Sequence, residues 1–297
     1  MGLGINSSQS NIIDIADKEL TLNSTYTTDE IDGGFYYNQL NDKEKENYNR
    51  ILTGCKNFET KILISDISLN SFYKVQTAFN YDNPQFFWTL SYTISVTSQT
   101  NIPVYVNYKI SEEDNKTYDI LNSLGNHIIE NIPEGYNNYQ KTKYLYEYIV
   151  DNTEYNLAAE HNQDIRSVLL NKSSICAGYA RTFQFLCEKA GIPCTFIAGE
   201  ANGGRHAWNL ICLDGSYYWV DPTWGETMYR DGTVSDTIKY DYFLVSDETL
   251  FKSHILSGDI ETTRKHIERA FIYPKCQSDF TVETLLKLLI SWEPSLF

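Results

Sequence analysis

The sequence predicts an α+β fold, in which a helix that opens on a cysteine packs against an antiparallel sheet, preceded by a smaller α/β region. Three observations carry this. A helical apolar pattern with Tyr179, Phe183 and Leu186 runs from Cys176 to about Ala190, where Gly191-Ile192-Pro193 stops it. Three strand-like runs follow: Cys194 to Gly199, His206 to Cys212 and Tyr217 to Asp221, with the turn Asp214-Gly215 joining the last two. Upstream, Trp88, Leu90, Tyr92, Ile94 and Val96 alternate along one run. Ile102, Val104, Val106, Tyr108 and Ile110 alternate along another, and the polar connection Ser98 to Asn101 makes the two an antiparallel hairpin.

The remaining elements follow in order. The first thirty residues are polar and read as an irregular arm. Asn41 starts a helix through Leu52, closed by Gly54. Lys61 to Asp66 reads as a strand and Ser71 to Asn80 as a helix that Asp82-Asn83-Pro84 breaks. Ser111-Glu112-Glu113 caps a long helix ending at Pro133-Glu134-Gly135, and a second spans about Asn138 to Asp151. Thr281 to Trp292, with four leucines, reads as an amphipathic helix packed on the domain. The expected organisation is an arm over 1–30, an α/β region over 31–110 and a catalytic region over 111–297 that includes the C-terminal helix.

Composition narrows the function classes. With 39 acidic against 24 basic residues, the net charge is −15, which argues against a nucleic-acid backbone or an anionic membrane surface as partner. No run approaches the ~18 apolar residues of a membrane span. Met1 to Gln9 is small and polar, without the basic stretch and apolar core of a signal peptide. The expected compartment is the cytoplasm, or the cell exterior where a signal has been removed. The six cysteines show no CxxC and no zinc spacing, so no metal is expected. Cys187, Cys194 and Cys212 sit among apolar neighbours and read as buried free thiols; Cys187 and Cys194 are the pair near enough in sequence for a disulfide.

Cys176 falls in the first turn of its helix, with Ser173 and Ser174 as natural caps, and the positive end of the helix dipole there favours a thiolate. Ala177 and Gly178 leave room for a substrate backbone beside the sulfur. His206, at the start of one strand, and Asp221, at the end of its hairpin partner, can lie side by side across the ladder. A neutral imidazole there can take the thiol proton while the carboxylate fixes its tautomer. Trp208, Trp219 and Trp224 read chiefly as packing around this triad, and Trp208, Trp224 and Tyr179 are the candidates for substrate contact. Asn209 points away from His206. Arg181 reads as a surface helical residue, and His127, His161, His254 and His266 as surface or internally satisfied histidines.

The runs Cys176-Ala177-Gly178-Tyr179-Ala180, Gly191-Ile192-Pro193-Cys194, His206-Ala207-Trp208-Asn209 and Val220-Asp221-Pro222-Thr223-Trp224 resemble the transglutaminase-like superfamily, and in particular its bacterial branch common in Gram-positive organisms. The resemblance covers about Gln140 to Asp247, including Tyr242-Phe243-Leu244-Val245-Ser246, with a weaker likeness at Asp82 to Trp88. It implies a papain-like fold, with Cys176 as nucleophile, His206 as base and Asp221 as orienting acid. It also implies a protein or peptide substrate and a thioester intermediate, and no cofactor is expected. Animal members use calcium, but no loop of clustered carboxylates stands out here. Hydrolysis of peptide or carboxamide bonds is favoured over amine transfer. Protein cross-linking, glycopeptide amidase activity and a non-catalytic binding module are the alternatives.

Overall fold

Short polar residues at helix starts lay out the N-terminal region. The computed structural model describes residues 4–5, 34–96, 104–226, 237–259, 271–281 and 284. The expected irregular arm lies outside the described residues apart from β1 (Gly4–Ile5), and so do the hairpin connection at 98–101 and most of the expected C-terminal helix. Asn41 and Glu44 form a capping box that starts α1 (Asp42–Lys56). Gly54 is inside this helix rather than at its end. A Cβ there would come within 2.4 Å of Ile62 on β2 (Lys61–Ile64), so its smallness serves helix–strand packing. Ser68 caps α2 (Leu69–Asp82). A turn of 3-10 helix over Phe87–Leu90 removes Trp88 and Leu90 from the expected strand, and β3 begins at Tyr92 (Tyr92–Val96), paired with β4 (Val104–Tyr108). The first sheet has the order β1-β3-β4-β2, antiparallel throughout.

Capping boxes at Ser111 with Asp114 and at Asn137 with Gln140 open α3 (Glu112–Glu130) and α4 (Asn138–Asp151). Next come β5 (Glu154–Tyr155), α5 (Ile165–Leu169), β6 (Ser173–Ser174) and α6 (Cys176–Lys189). The chain then forms β7 (Cys194–Ala201), β8 (Gly204–Leu213), β9 (Ser216–Val220), β10 (Phe243–Val245), α7 (Asp247–Leu250) and β11 (His254–Leu256). The second sheet, β10-β9-β8-β7-β11, is antiparallel throughout. Asp214 and Gly215, both at positive φ (50° and 82°), make the tight β8–β9 turn.

α6 is the centre of the molecule. Every residue from Cys176 to Cys187 is buried, because β7 and β8 cover one side and α3, α4 and α5 the others. Arg181 is therefore not a surface residue. It is 6% exposed, its guanidinium donates to the Asn80 carbonyl of α2, and it stacks 4.2 Å over the Phe196 ring. Gln184 donates to the Tyr81 carbonyl beside it. Asp82 ends α2 by accepting from the Tyr36 and Tyr37 N–H groups at 3.0 and 2.8 Å, while the Tyr36 hydroxyl donates to the Phe196 carbonyl of β7. One hydrophobic cluster, from Tyr36 and Ile64 to Phe183 and Val220, runs across the junction at residues 110 and 111.

Gly199 marks where β11 closes on β7. A Cβ there would lie 2.1 Å from the Ile255 carbonyl oxygen and 2.4 Å from the Trp208 ring. Gly199→Ala is expected to push the strands apart and cost about 1–3 kcal/mol, read as a lower urea midpoint at unchanged slope.

Candidate active site

The start of α6 differs from that of α1, α3 or α4. Ile175 occupies the N-cap and no side chain caps it. Ser173 and Ser174, expected as caps, instead form β6, which pairs in parallel with β5. The Ser174 hydroxyl is occupied by Ser167 at 2.6 Å and the Ile175 carbonyl at 3.2 Å. The N–H groups of the first turn are thus left without a side-chain acceptor, with Cys176 the first helical residue. Gly178 does not open space beside the sulfur. A Cβ on it would lie 2.0 Å from the Ser174 hydroxyl and 2.4 Å from that of Ser167, so its smallness admits α5. Cys176 is 8% exposed, in a small cluster with Ala177, Ala180, Phe196 and Ala207. All six cysteines are free thiols, including Cys187 and Cys194.

The hairpin β8–β9 sets the other two groups. Asn209 pairs with Val220, which brings the following residue, Asp221, diagonally to His206 two steps further along the ladder. His206 Nε2 and Asp221 Oδ2 are 2.6 Å apart, and the Cys176 thiol is near enough to the His206 ring to favour its charge. Asp221 Oδ1 accepts from the backbone N–H groups of Thr223 and Trp224 at 3.0 and 3.3 Å. Asn209 faces the opposite side of β8, where its amide donates to the Ala180 carbonyl of α6 at 2.9 Å and so fixes helix against sheet.

A second histidine completes the network. His254, fully buried on β11, places its Nε2 3.1 Å from the same Asp221 oxygen. No pattern along the chain marks it, since its partner is 33 residues away and β11 reaches the site only by pairing with β7. His206, Asp221 and His254 have the residue types of a metal site. Their nitrogens, however, sit at hydrogen-bond distances from one carboxylate oxygen, closer than the roughly 3.3 Å that two ligands keep around tetrahedral zinc. The arrangement is that of a hydrogen-bonded carboxylate.

Aromatic rings wall the network in. Trp208 lies 4.9 Å from the His254 ring, and Trp224 lies 5.5 Å from His206 and 4.6 Å from His254. Two of the three candidates for substrate contact are excluded by burial: Trp208 and Tyr179 are both 0% exposed. The Tyr179 hydroxyl is spent on the Thr153 carbonyl and Glu226. Trp224 retains partial exposure beside His206.

Burial opposes a charge on His206, but the charge and hydrogen bond of Asp221, followed by Cys176, raise its pKa to about 10. Burial likewise opposes charge on Asp221, but His206 and then His254 hold its carboxyl below the usual range. The raised His206 pKa contributes stability that is full below about pH 6.5 and is lost as pH climbs toward about 10. The lowered Asp221 pKa contributes stability present above its ordinary value of 3.8 and lost as pH falls through its folded value. The pair thus stabilises most between about pH 4 and 6.5. Melting curves against pH are expected to show His206→Gln losing most relative to the native chain in that window, with the gap narrowing toward pH 10.

Residues 123–222 match the model of the transglutaminase-like superfamily, a stretch that contains Cys176, His206 and Asp221. That segment belongs to the transglutaminase-like superfamily. The chain is 27% identical over 142 residues to Kyphoscoliosis peptidase of Homo sapiens, a match that covers 41% of this chain and 22% of that protein. The figures for the Mus musculus protein are 26%, 45% and 23%, so the chain spans under a quarter of the length of these relatives. Among solved structures, a TGase superposes with a TM-score of 0.35 at 15% identity, over 50% of this chain and 48% of the other. The periplasmic domain of TgpA from Pseudomonas aeruginosa gives 0.28 at 17%, over 43% and 59%. The transglutaminase-like core is α+β, a buried helix against an antiparallel sheet. Among the described residues, no helix is long and apolar enough to cross a membrane.

Proposed function

We propose that the chain is a cysteine-dependent acyl-transfer enzyme acting on peptide or carboxamide bonds of proteins, with Cys176 as nucleophile, His206 as general base and acid, and Asp221 as the orienting carboxylate. The observation that carries this reading is the 2.6 Å contact of His206 with the buried carboxylate of Asp221, with the Cys176 thiol near enough to favour charge on the same ring. With Nε2 engaged by Asp221, Nδ1 is the nitrogen left for the thiol, and it takes the thiol proton as the sulfur attacks.

The sulfur attacks the substrate carbonyl carbon, forming the C–S bond as the carbonyl electron pair moves onto oxygen. The uncapped N–H groups at the start of α6, that of Cys176 among them, suit a developing oxyanion. Collapse expels the amine, which takes the proton from His206, and leaves a thioester. Water then attacks the thioester, gives a proton to His206, and the sulfur departs. Hydrolysis is favoured because the curated relatives are named as a peptidase.

The region 111–297 supplies the chemistry in this reading, and 31–110 braces it. α2 receives the Arg181 and Gln184 side chains from the middle of the nucleophile helix.

Incubating the chain with a peptide library, with and without a primary amine, and reading the products by mass spectrometry tests the proposal. New peptide termini are expected, independent of amine. Incorporated amine would move the reading to cross-linking. No product of either kind, with Cys176 alkylated by iodoacetamide no faster than free cysteine, would leave a binding module and end the enzyme reading.

A further inference from the structure

Asp221 accepts four donors, and the triad accounts for only one of them. Two come from the backbone of Thr223 and Trp224 onto Oδ1, and the fourth is His254 on Oδ2, the same oxygen that faces His206. The surroundings of His254 decide which of its nitrogens carries the proton. Its Nδ1 lies 2.8 Å from the Ser253 hydroxyl, which in turn lies 2.9 Å from the Tyr242 hydroxyl. The Leu250 carbonyl, 3.3 Å from Nδ1, accepts from the Ser253 N–H and lies 3.4 Å from the Ser253 hydroxyl. A carboxylate can only accept, so His254 donates its Nε2–H to Asp221; the Ser253 hydroxyl can then donate to Nδ1 and Tyr242 to Ser253. All donors in this chain point toward the carboxylate.

We propose that His254 is a fourth member of the constellation, a positioning residue that aims the Asp221 carboxylate at His206 through this one-way chain. The proposal rests on the triad reading above. A carboxylate pinned only at Oδ1 can swing Oδ2 about that hinge, and His254 removes the freedom. The ring itself is held by Trp208 at 4.9 Å, Trp224 at 4.6 Å and Tyr242 at 5.1 Å, and it has no exposed surface. The aromatic box therefore serves the second histidine at least as much as the first. The hydrogen bonds of His254 run to Asp221, Ser253 and the Leu250 carbonyl, so its effect passes through Asp221 and His206.

Two amides that differ by one bond test this. In His254→Gln the side-chain nitrogen sits near the place of Nε2 and can still donate to Asp221; in His254→Asn it sits near Nδ1 and falls short. The full-length chain is followed by the rate of Cys176 alkylation with iodoacetamide near neutral pH, by melting temperature, and by the imidazole nitrogen signals of His206. His254→Asn is expected to slow alkylation about 10- to 100-fold, the value of one hydrogen bond to a charged group, and to shift the His206 signals. His254→Gln is expected to restore the rate to within about threefold and return the signals. Equal rates in both variants and the native chain would overturn the positioning role while leaving the triad intact. Equal slowing in both, in proportion to lost melting temperature, would reduce His254 to packing and overturn it as well. A native Cys176 no more reactive than free cysteine would take down the triad reading, and this proposal with it.

Discussion

Replacing Cys176 with alanine is expected to lower turnover by roughly 10⁴-fold or more while leaving the fold in place. Two features separate these effects. Every other chemical group in the network acts through the sulfur, so nothing remains to form the covalent bond once it is gone. The side chain itself packs in the small cluster with Ala177, Ala180, Phe196 and Ala207, where a methyl fits at a cost of about 1 kcal/mol. Cys176→Ser is expected to be nearly as inactive. A hydroxyl holds its proton far more tightly than a thiol, so His206 removes it far less readily. The measurement is product formation from the peptide library alongside a melting curve. Activity of Cys176→Ala within tenfold of the native chain, at an unchanged melting temperature, would remove the thiol from the mechanism.

How much of this was legible along the chain depended on whether each cause is local. α4 begins and ends where its cap and periodicity put it, at Asn138 and Asp151, because Asn137 and Gln140 form the capping box within one turn. The β8–β9 turn is equally local, since Asp214-Gly215 readily adopts the two positive φ values required. The placement of His206 and Asp221 on neighbouring strands follows from that turn, with the register setting them diagonally rather than side by side. Causes from far along the chain were not legible. Arg181 reads as a surface residue on its own helix, and only α2, about a hundred positions earlier, buries it. Gly54 has the look of a helix stop, yet its smallness answers to Ile62 across a loop. Ser174 looks like a cap until α5 brings Ser167 to its hydroxyl. His254 enters the site on a three-residue strand whose alternation is too short to read, and its partner follows β9, three places away in the sheet order beyond β7 and β8.

The same distinction explains why Asp221→Asn is expected to cost about 10³- to 10⁴-fold in kcat although it changes one atom. The native carboxylate meets four N–H donors, two on each oxygen. Asparagine offers one acceptor oxygen and one NH₂ group. The donors from Thr223 and Trp224 are backbone and cannot turn away, so the amide oxygen must stay with them and the NH₂ must face the histidines. His206 Nε2 then has to accept instead of donate, which moves the ring proton to Nδ1 and points it at the sulfur. The imidazole can no longer take a proton from Cys176. His254 must reverse in the same way, sending its proton from Nε2 to Nδ1, where Ser253 and the Leu250 carbonyl can accept it. Both rings thus find partners in the wrong tautomers, so the variant is expected to fold while losing its chemistry. Imidazole nitrogen spectra should report both reversals directly, with kcat and the melting temperature read on the same protein. Retention of the native His206 tautomer with kcat unchanged would show that the carboxylate neither orients nor charges the ring.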